Sequence, residues 1–272
     1  MSSTFKRAGI LIALLALIVS TVLNILFRRE FFEMGVNFIH NYQTTGQSSA
    51  VTVIHNILSI LGNTFFIVAF LAAIHILAYR KMATIVYVFY IVCNAYLIAV
   101  EKQAYQDPRP FFYNANIQAL EWTCPRSYGF PSGHSWVSVL LYEPVISDFI
   151  GTQGWKKVLL LWILITGTLI PLSRQYLGSH TADQVTSGVL HSMAALILYK
   201  CLFQEKIYRF LSNTFKGVSL GMTVTINSIC FGLSIAVPFI IFSINVDRKT
   251  FDPAFIAKMN AACRRSYTQT DL

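Results

Sequence analysis

Seven apolar runs, at 8–27, 57–79, 82–100, 136–150, 158–172, 186–203 and 220–244, punctuate this chain. A run of about 20 apolar residues is what a helix needs to cross a hydrocarbon layer about 30 Å thick. In lipid no water satisfies backbone N–H and C=O groups, so a spanning segment must bond internally as a helix unless a barrel closes. Runs of this length exclude barrel strands, and the sequence predicts an all-α polytopic membrane helix bundle of about seven transmembrane helices. The fourth and fifth runs are short, and the fourth contains Glu143, so the count carries an uncertainty of about one. Composition agrees: 12% of the 272 residues are charged and 55% are hydrophobic, against about 25% charged in an ordinary soluble domain.

Basic residues orient the bundle. Lys6 and Arg7 precede the first run and Arg28-Arg29 follows it. Its core is too long for a cleaved leader, so it reads as a retained anchor with the N-terminus in the cytoplasm. Alternation then puts Arg80, Lys81, Lys156, Lys157 and Lys200 on the cytoplasmic side, as the positive-inside rule requires. An even number of spans, which would return the basic C-terminal tail to the cytoplasm, is the competing topology. Phe31, Met34, Phe38, Ile39 and Tyr42 recur at helical spacing, which suggests an interfacial helix or one packed under the loops. The chain divides into an N-terminal anchor and interfacial segment (1–50), a core (51–203) and a final helix with its tail (204–272).

The formal charge of +9 is in part this topology signal and does not point to nucleic acid. Cys124 and Cys263 are the two cysteines that could pair on the far side. The histidine, cysteine and acidic residues lack metal-ligand spacing, so a metal-free, cofactor-free site is expected. His40, His55, His75 and His191 read as satisfied polar residues, and Asp107 as paired with a nearby basic residue. Glu143-Pro144 marks either a functional carboxylate or a kink.

With that topology, four helix ends meet on the non-cytoplasmic face. They carry Lys102, Arg109, Ser132, Gly133, His134, Arg174 and His180. Three cations and a Pro-Ser-Gly loop at a helix N-terminus make a seat for an anion with several oxygens, and phosphate fits best. Two histidines beside it suit a two-step phosphoryl transfer, one attacking phosphorus and the other handling the leaving-group proton.

The strings KQAYQDPRP (102–110), PSGH (131–134) and SRQYLGSH (173–180) together resemble the three-part signature of the type-2 phosphatidic-acid phosphatase and haloperoxidase superfamily. The resemblance covers about 51–203. It implies that His180 is the nucleophile of a phosphohistidine intermediate and that His134 is the general acid and base. Lys102, Arg109, Arg174, Ser132 and the Gly133 amide would hold the phosphoryl oxygens. The family usually has an aspartate four residues after the nucleophile. Here that position is Gln184, with Asp183 one earlier, and either could orient the His180 ring. The glucose-6-phosphatase branch also carries glutamine there, and the segment WTCPRSYGFPSGH is similar to that branch.

The leading expectation is a membrane phosphomonoesterase acting on a lipid phosphate, with membrane lipids as its other partners. The alternatives are a glucose 6-phosphate hydrolase, a polyprenyl diphosphate phosphatase, and a non-catalytic lipid-binding or transport protein on the same scaffold. Asn114, Asn116, Gln118 and Glu121 among aromatic residues suit a lid or a sugar pocket. The expected location is the endoplasmic reticulum or another endomembrane, with the site lumenal or extracellular. A cysteine at Asn114 should therefore react with an impermeant thiol reagent only from that side. Labelling from the cytoplasm alone would overturn the topology.

Overall fold

A computed structural model describes residues 3–63, 66, 69, 70, 73, 81–114, 116–120, 127–140, 161–214, 240 and 257. All of the seventh predicted run but residue 240, together with His75, Glu121, Glu143, Cys124 and Cys263, lies outside these. The described residues are helical, with no strand among them.

Helix α1, Ser3–Gly46, breaks at Phe27, whose φ and ψ of −121° and 21° are not helical. Before the break its surface is apolar: Leu11, Ile12, Leu15, Ile18, Ile25 and Leu26 are all exposed, a pattern that suits hydrocarbon and not water. Thr4–Gly46 and Ala182–Phe210 are the two described helices long and apolar enough to cross a membrane.

After the break α1 changes partner. Phe32, Val36 and Ile39 are buried against Phe111, Phe112 and Ile117, while Met34 and Phe38 are exposed. The segment thus packs under the loops, with its buried stripe about one residue out of phase with the predicted one. Sequence spacing marks a helix here; the aromatic residues of the 111–117 loop decide which face it buries.

Helix α2, Ser49–Leu61, starts where the Ser48 side chain accepts from the Val51 N–H at 3.2 Å. It is amphipathic with its polar face inward: His55, Asn56 and Ser59 are buried, and Val53, Ile54 and Ile57 are exposed. The second apolar run, predicted from residue 57, thus meets a helix that begins earlier and ends at Gly62. Most of the remainder of that run lies outside the described residues.

Helix α3, Lys81–Tyr105, holds the third run and brings Lys102 to its last turn. A one-turn helix α4, Pro110–Tyr113, follows Arg109, and α5 occupies 133–140. The fifth run is interrupted. A π-helical turn, Ile165–Leu169, precedes α6, Ile170–Tyr176, whose Pro171 has no N–H for the carbonyl one turn back. Helix α7, Ala182–Leu198, continues through a second π-helical turn, Tyr199–Phe203, into α8, Gln204–Thr214. Tyr90, Ile91, Ile98, Trp136, Leu140, Leu196 and Tyr199 form one core that joins α3, α5 and α7.

Helices α1 and α7 lie side by side and antiparallel, held close by glycines. A Cβ on Gly9 would come within 3.2 Å of Cys201 Sγ, and one on Gly35 within 2.7 Å of Thr181 Cβ. Close backbone approach through small residues is how helices associate where lipid removes the hydrophobic drive. Gly35→Leu should therefore destabilise the protein by about 1–3 kcal/mol, while Gly46→Ala, where a Cβ meets ordinary contacts near 3.5 Å, should not. Thermal unfolding in detergent checks this; equal midpoints for the two variants would contradict the packing.

Candidate functional site

Three backbone devices assemble the helix ends. At the end of α6, Gly178 takes a left-handed φ of 74°, a conformation that costs glycine little. The chain then folds back, so that the N–H groups of Ser179 and His180 donate to Arg174 O at 3.1 and 3.3 Å. This turn explains the Ser-Arg-x5-His spacing: five intervening residues close a loop that returns the histidine over the arginine. Next, the Ser132 N–H donates to Gln184 O at 2.9 Å, which ties the PSGH loop to the first turn of α7. Gly188 makes that contact close, since a Cβ there would lie 2.7 Å from Ser132 O. Finally, Gly129 N–H donates to Asp107 O at 2.7 Å, closing the loop that follows α3.

Arg109, 3% exposed, is held by carbonyls and a hydroxyl. Its Nε donates to Ser127 O at 2.6 Å, its Nη2 to Ser127 Oγ at 2.9 Å and its Nη1 to Ser179 O at 3.0 Å. The same Nη1 lies 3.1 Å from His180 Nε2. Lys102 Nζ donates to Tyr128 O and Arg174 Nη1 to Ser59 Oγ. His180 is fully buried, with Arg109, Arg174, Lys102 and His134 all within electrostatic reach. Lys102, Arg109, His134, Arg174 and His180 are thus brought together. His134 and Gly133 are half-buried at the start of α5.

Gly133 owes nothing to packing, because a Cβ there would meet only Ile98 Cγ2 at 3.9 Å. Ser132 Oγ accepts from Ser135 Oγ at 3.2 Å and faces the Ser135 N–H at 3.5 Å, as an N-cap does.

Gln184, not Asp183, meets the His180 ring. Gln184 Oε1 is 3.3 Å from His180 Nδ1 and 3.3 Å from the Thr181 N–H, while its Nε2 donates to Pro108 O at 3.0 Å. A backbone donor on one side and a backbone acceptor on the other fix which end of the amide is oxygen. Nδ1 must then carry the ring proton, and Nε2, facing Arg109, carries the lone pair. Gly129 makes room for the amide, since a Cβ there would come within 2.6 Å of Gln184 Oε1. Burial first, and then the surrounding cations, hold the His180 imidazole well below the usual histidine range.

Sequence reasoning missed the residues that hold these side chains: Ser59, Ser127, Gly129 and the carbonyls of Pro108, Tyr128 and Ser179. Most act through backbone atoms, which leave no residue-type signal, and Ser59 stands 115 positions from Arg174. Asp107 pairs with Arg28 of α1, not with a nearby basic residue, and Arg28 also donates to Tyr105 O at 2.8 Å. His191 is engaged as expected of a satisfied polar residue, whereas the buried Nδ1 atoms of His40 and His55 have no hydrogen-bond partner among the described residues. His191 Nδ1 lies 2.8 Å from Glu101 Oε2 and its Nε2 3.2 Å from Ser20 Oγ, and His55 stacks on Tyr176 at 4.2 Å.

The family described as the PAP2 superfamily matches residues 83–208. Phosphatidylglycerophosphatase B of Bacillus subtilis (strain 168) is 35% identical over 89 residues, which are 31% of this chain and 43% of that protein. The chain thus spans less than half the length of the curated relative it matches. A crystal structure of a transmembrane PAP2-type phosphatidylglycerolphosphate phosphatase from Bacillus subtilis superposes with a TM-score of 0.61 at 19% identity, over 73% of this chain and 98% of that one. The likeness shows the fold, a bundle of helices.

His180 should stay neutral as pH falls through about 6.5, the ordinary histidine value. Because the unfolded chain takes up that proton first, this group makes stability decline as pH drops below that value. In 15N spectra of histidine-labelled protein, assigned by loss of a signal in His180→Gln, the ring should remain the Nδ1–H tautomer from pH 8 to 5.5. Gln184→Leu should abolish that tautomer preference. A His180 signal titrating near 6.5, or a tautomer indifferent to Gln184, would contradict the geometry.

Proposed function

Because the chain carries a PAP2 superfamily domain over residues 83–208, we propose that it is a membrane-embedded phosphatase that hydrolyses a lipid phosphate monoester through a phosphohistidine. The observation that carries this reading is a buried His180 whose Nε2 lies 3.1 Å from Arg109 Nη1, among three cations. A nucleophile must keep its lone pair, and an arriving phosphoryl group must find positive charge already in place.

Arg109 would transfer its Nη1 contact from Nε2 to a phosphoryl oxygen, which frees the lone pair for attack. Lys102, Arg174, the Ser132 hydroxyl and the Gly133 N–H take the remaining oxygens. Nε2 forms a bond to phosphorus as the P–O bond to the lipid alcohol breaks, and His134 gives that oxygen its proton. In the second step water attacks phosphorus, His134 takes the water's proton, the P–N bond breaks, and inorganic phosphate leaves with Nε2 neutral again. Gln184 holds the ring through Nδ1 in both steps and Asp183 takes no part.

The name of the Bacillus subtilis relative, phosphatidylglycerophosphatase B, makes phosphatidylglycerol phosphate the first substrate to try. A lipid presents its phosphate at the level of these helix ends while its chains stay in the bilayer. The site is read as facing away from the cytoplasm, and no metal enters either step.

Purified full-length protein should release phosphate from phosphatidylglycerol phosphate in EDTA, and vanadate should inhibit by adopting the five-coordinate geometry of the transferred group. His180→Ala should lower kcat by at least about 10³-fold. His134→Ala should lose about 10²-fold or more on alkyl phosphates and much less on a nitrophenyl ester, whose leaving group needs no proton. Equal losses on the two esters would sink the role of His134. Full activity in His180→Ala would sink the mechanism.

A further inference from the structure

A cavity of about 520 Å³ lies between α1 and α7, and Asp183 lines it while Gln184 and His180 do not. Leu23, Asn24, Phe31 and Met34 of α1 and Asp183 and Leu190 of α7 are among its walls. Both helices have the length and apolarity of membrane spans. The volume falls in the range of about 300–1,000 Å³ that small-molecule sites occupy.

Asn24 decides what belongs there. It is 3% exposed, it lines the cavity, and neither its Nδ2 nor its Oδ1 has a hydrogen-bond partner. A buried amide left in that state is destabilising at each unmet group, so it calls for a ligand. Nδ2–H needs an acceptor and Oδ1 needs a donor. An ester carbonyl meets one of these needs, while a hydroxyl meets both. Ser20, one turn earlier on the same helix, has its oxygen 3.2 Å from His191 Nε2 and is already engaged. A phosphate has no place here, because Asn24 Oδ1 and the Asp183 carboxyl oxygens would face its oxygens.

We propose that this cavity binds a neutral single-chain lipid with free hydroxyls on its headgroup, of the monoacylglycerol type. The chain lies along Leu23, Met34 and Leu190, and the hydroxyl accepts from Asn24 Nδ2 and donates to Asn24 Oδ1. The site is separate from the phosphate-binding cluster and does not depend on the phosphatase reading, because its readout is lipid occupancy and not phosphate release.

The test uses the full chain in phosphatidylcholine nanodiscs with a monoacylglycerol carrying a diazirine in its chain. After irradiation, mass spectrometry should find the adduct on peptides from 20–38 and 182–190. Unlabelled 1-oleoylglycerol should compete at least about tenfold better than its di-O-methyl ether, which retains the chain and the acceptors but has lost both donors. Asn24→Leu should erase that difference. Adducts spread without preference over lipid-facing helices would overturn the proposal, as would equal competition by the two lipids in the unaltered protein. That second comparison needs no variant and stands if Asn24→Leu does not fold.

Discussion

The side-chain amide of Gln184 is the joint on which the site turns. One amide links the nucleophilic candidate His180, the N-terminus of α7 at Thr181 and the carbonyl of Pro108 just before Arg109. An uncharged joint suits its surroundings. A carboxylate here would add a negative charge inside a cluster of Lys102, Arg109 and Arg174, pulling the cations toward itself and stabilising a protonated ring. With an amide the cations remain committed to carbonyls and hydroxyls, and burial together with positive charge keeps the imidazole neutral. Electrostatics of this kind is prepared before an anion arrives and does not reorganise around it.

The polar interior and apolar exterior of α2 follow from the same solvent logic. His55, Asn56 and Ser59 point inward to Tyr176, Leu120 O and Arg174, while its isoleucines face outward. In water such a helix would pack the other way round. In hydrocarbon the bundle interior is where hydrogen bonds can be made, so buried polar residues become the means by which α2 grips α6. Ser59 is held to Arg174 in this way, and a site cation is thereby braced by a helix that carries none of the three motifs.

Much of this was legible in the sequence, and the reasons for the remainder are physical. The apolar runs announced the helical membrane fold because length and continuity are local properties. Lys102, Arg109, His134, Arg174 and His180 were readable because motif spacing encodes turns such as the one at Gly178. The choice between Asp183 and Gln184 was not readable, since adjacent helical positions both flank the preceding turn and the Pro108 carbonyl and Gly129 settle it from elsewhere in the chain. The buried stripe of α1 was misphased for a similar reason: which aromatic residues of the 111–117 loop it would meet is a tertiary fact. The partner of Asp107 was missed because Arg28 lies 79 positions away.

That ion pair makes the first helix a ruler. Arg28 follows the break at Phe27 and reaches Asp107, which is 2% exposed and two residues before Arg109. Each residue of a helix advances its neighbours by about 1.5 Å and turns them by about 100°. Adding or removing one residue anywhere between the Gly9–Cys201 contact and Arg28 would swing the guanidinium away and strand a buried carboxylate beside Arg109. The first helix is therefore not a free tether whose length can drift, but a spacer whose residue count is checked at the loop it braces.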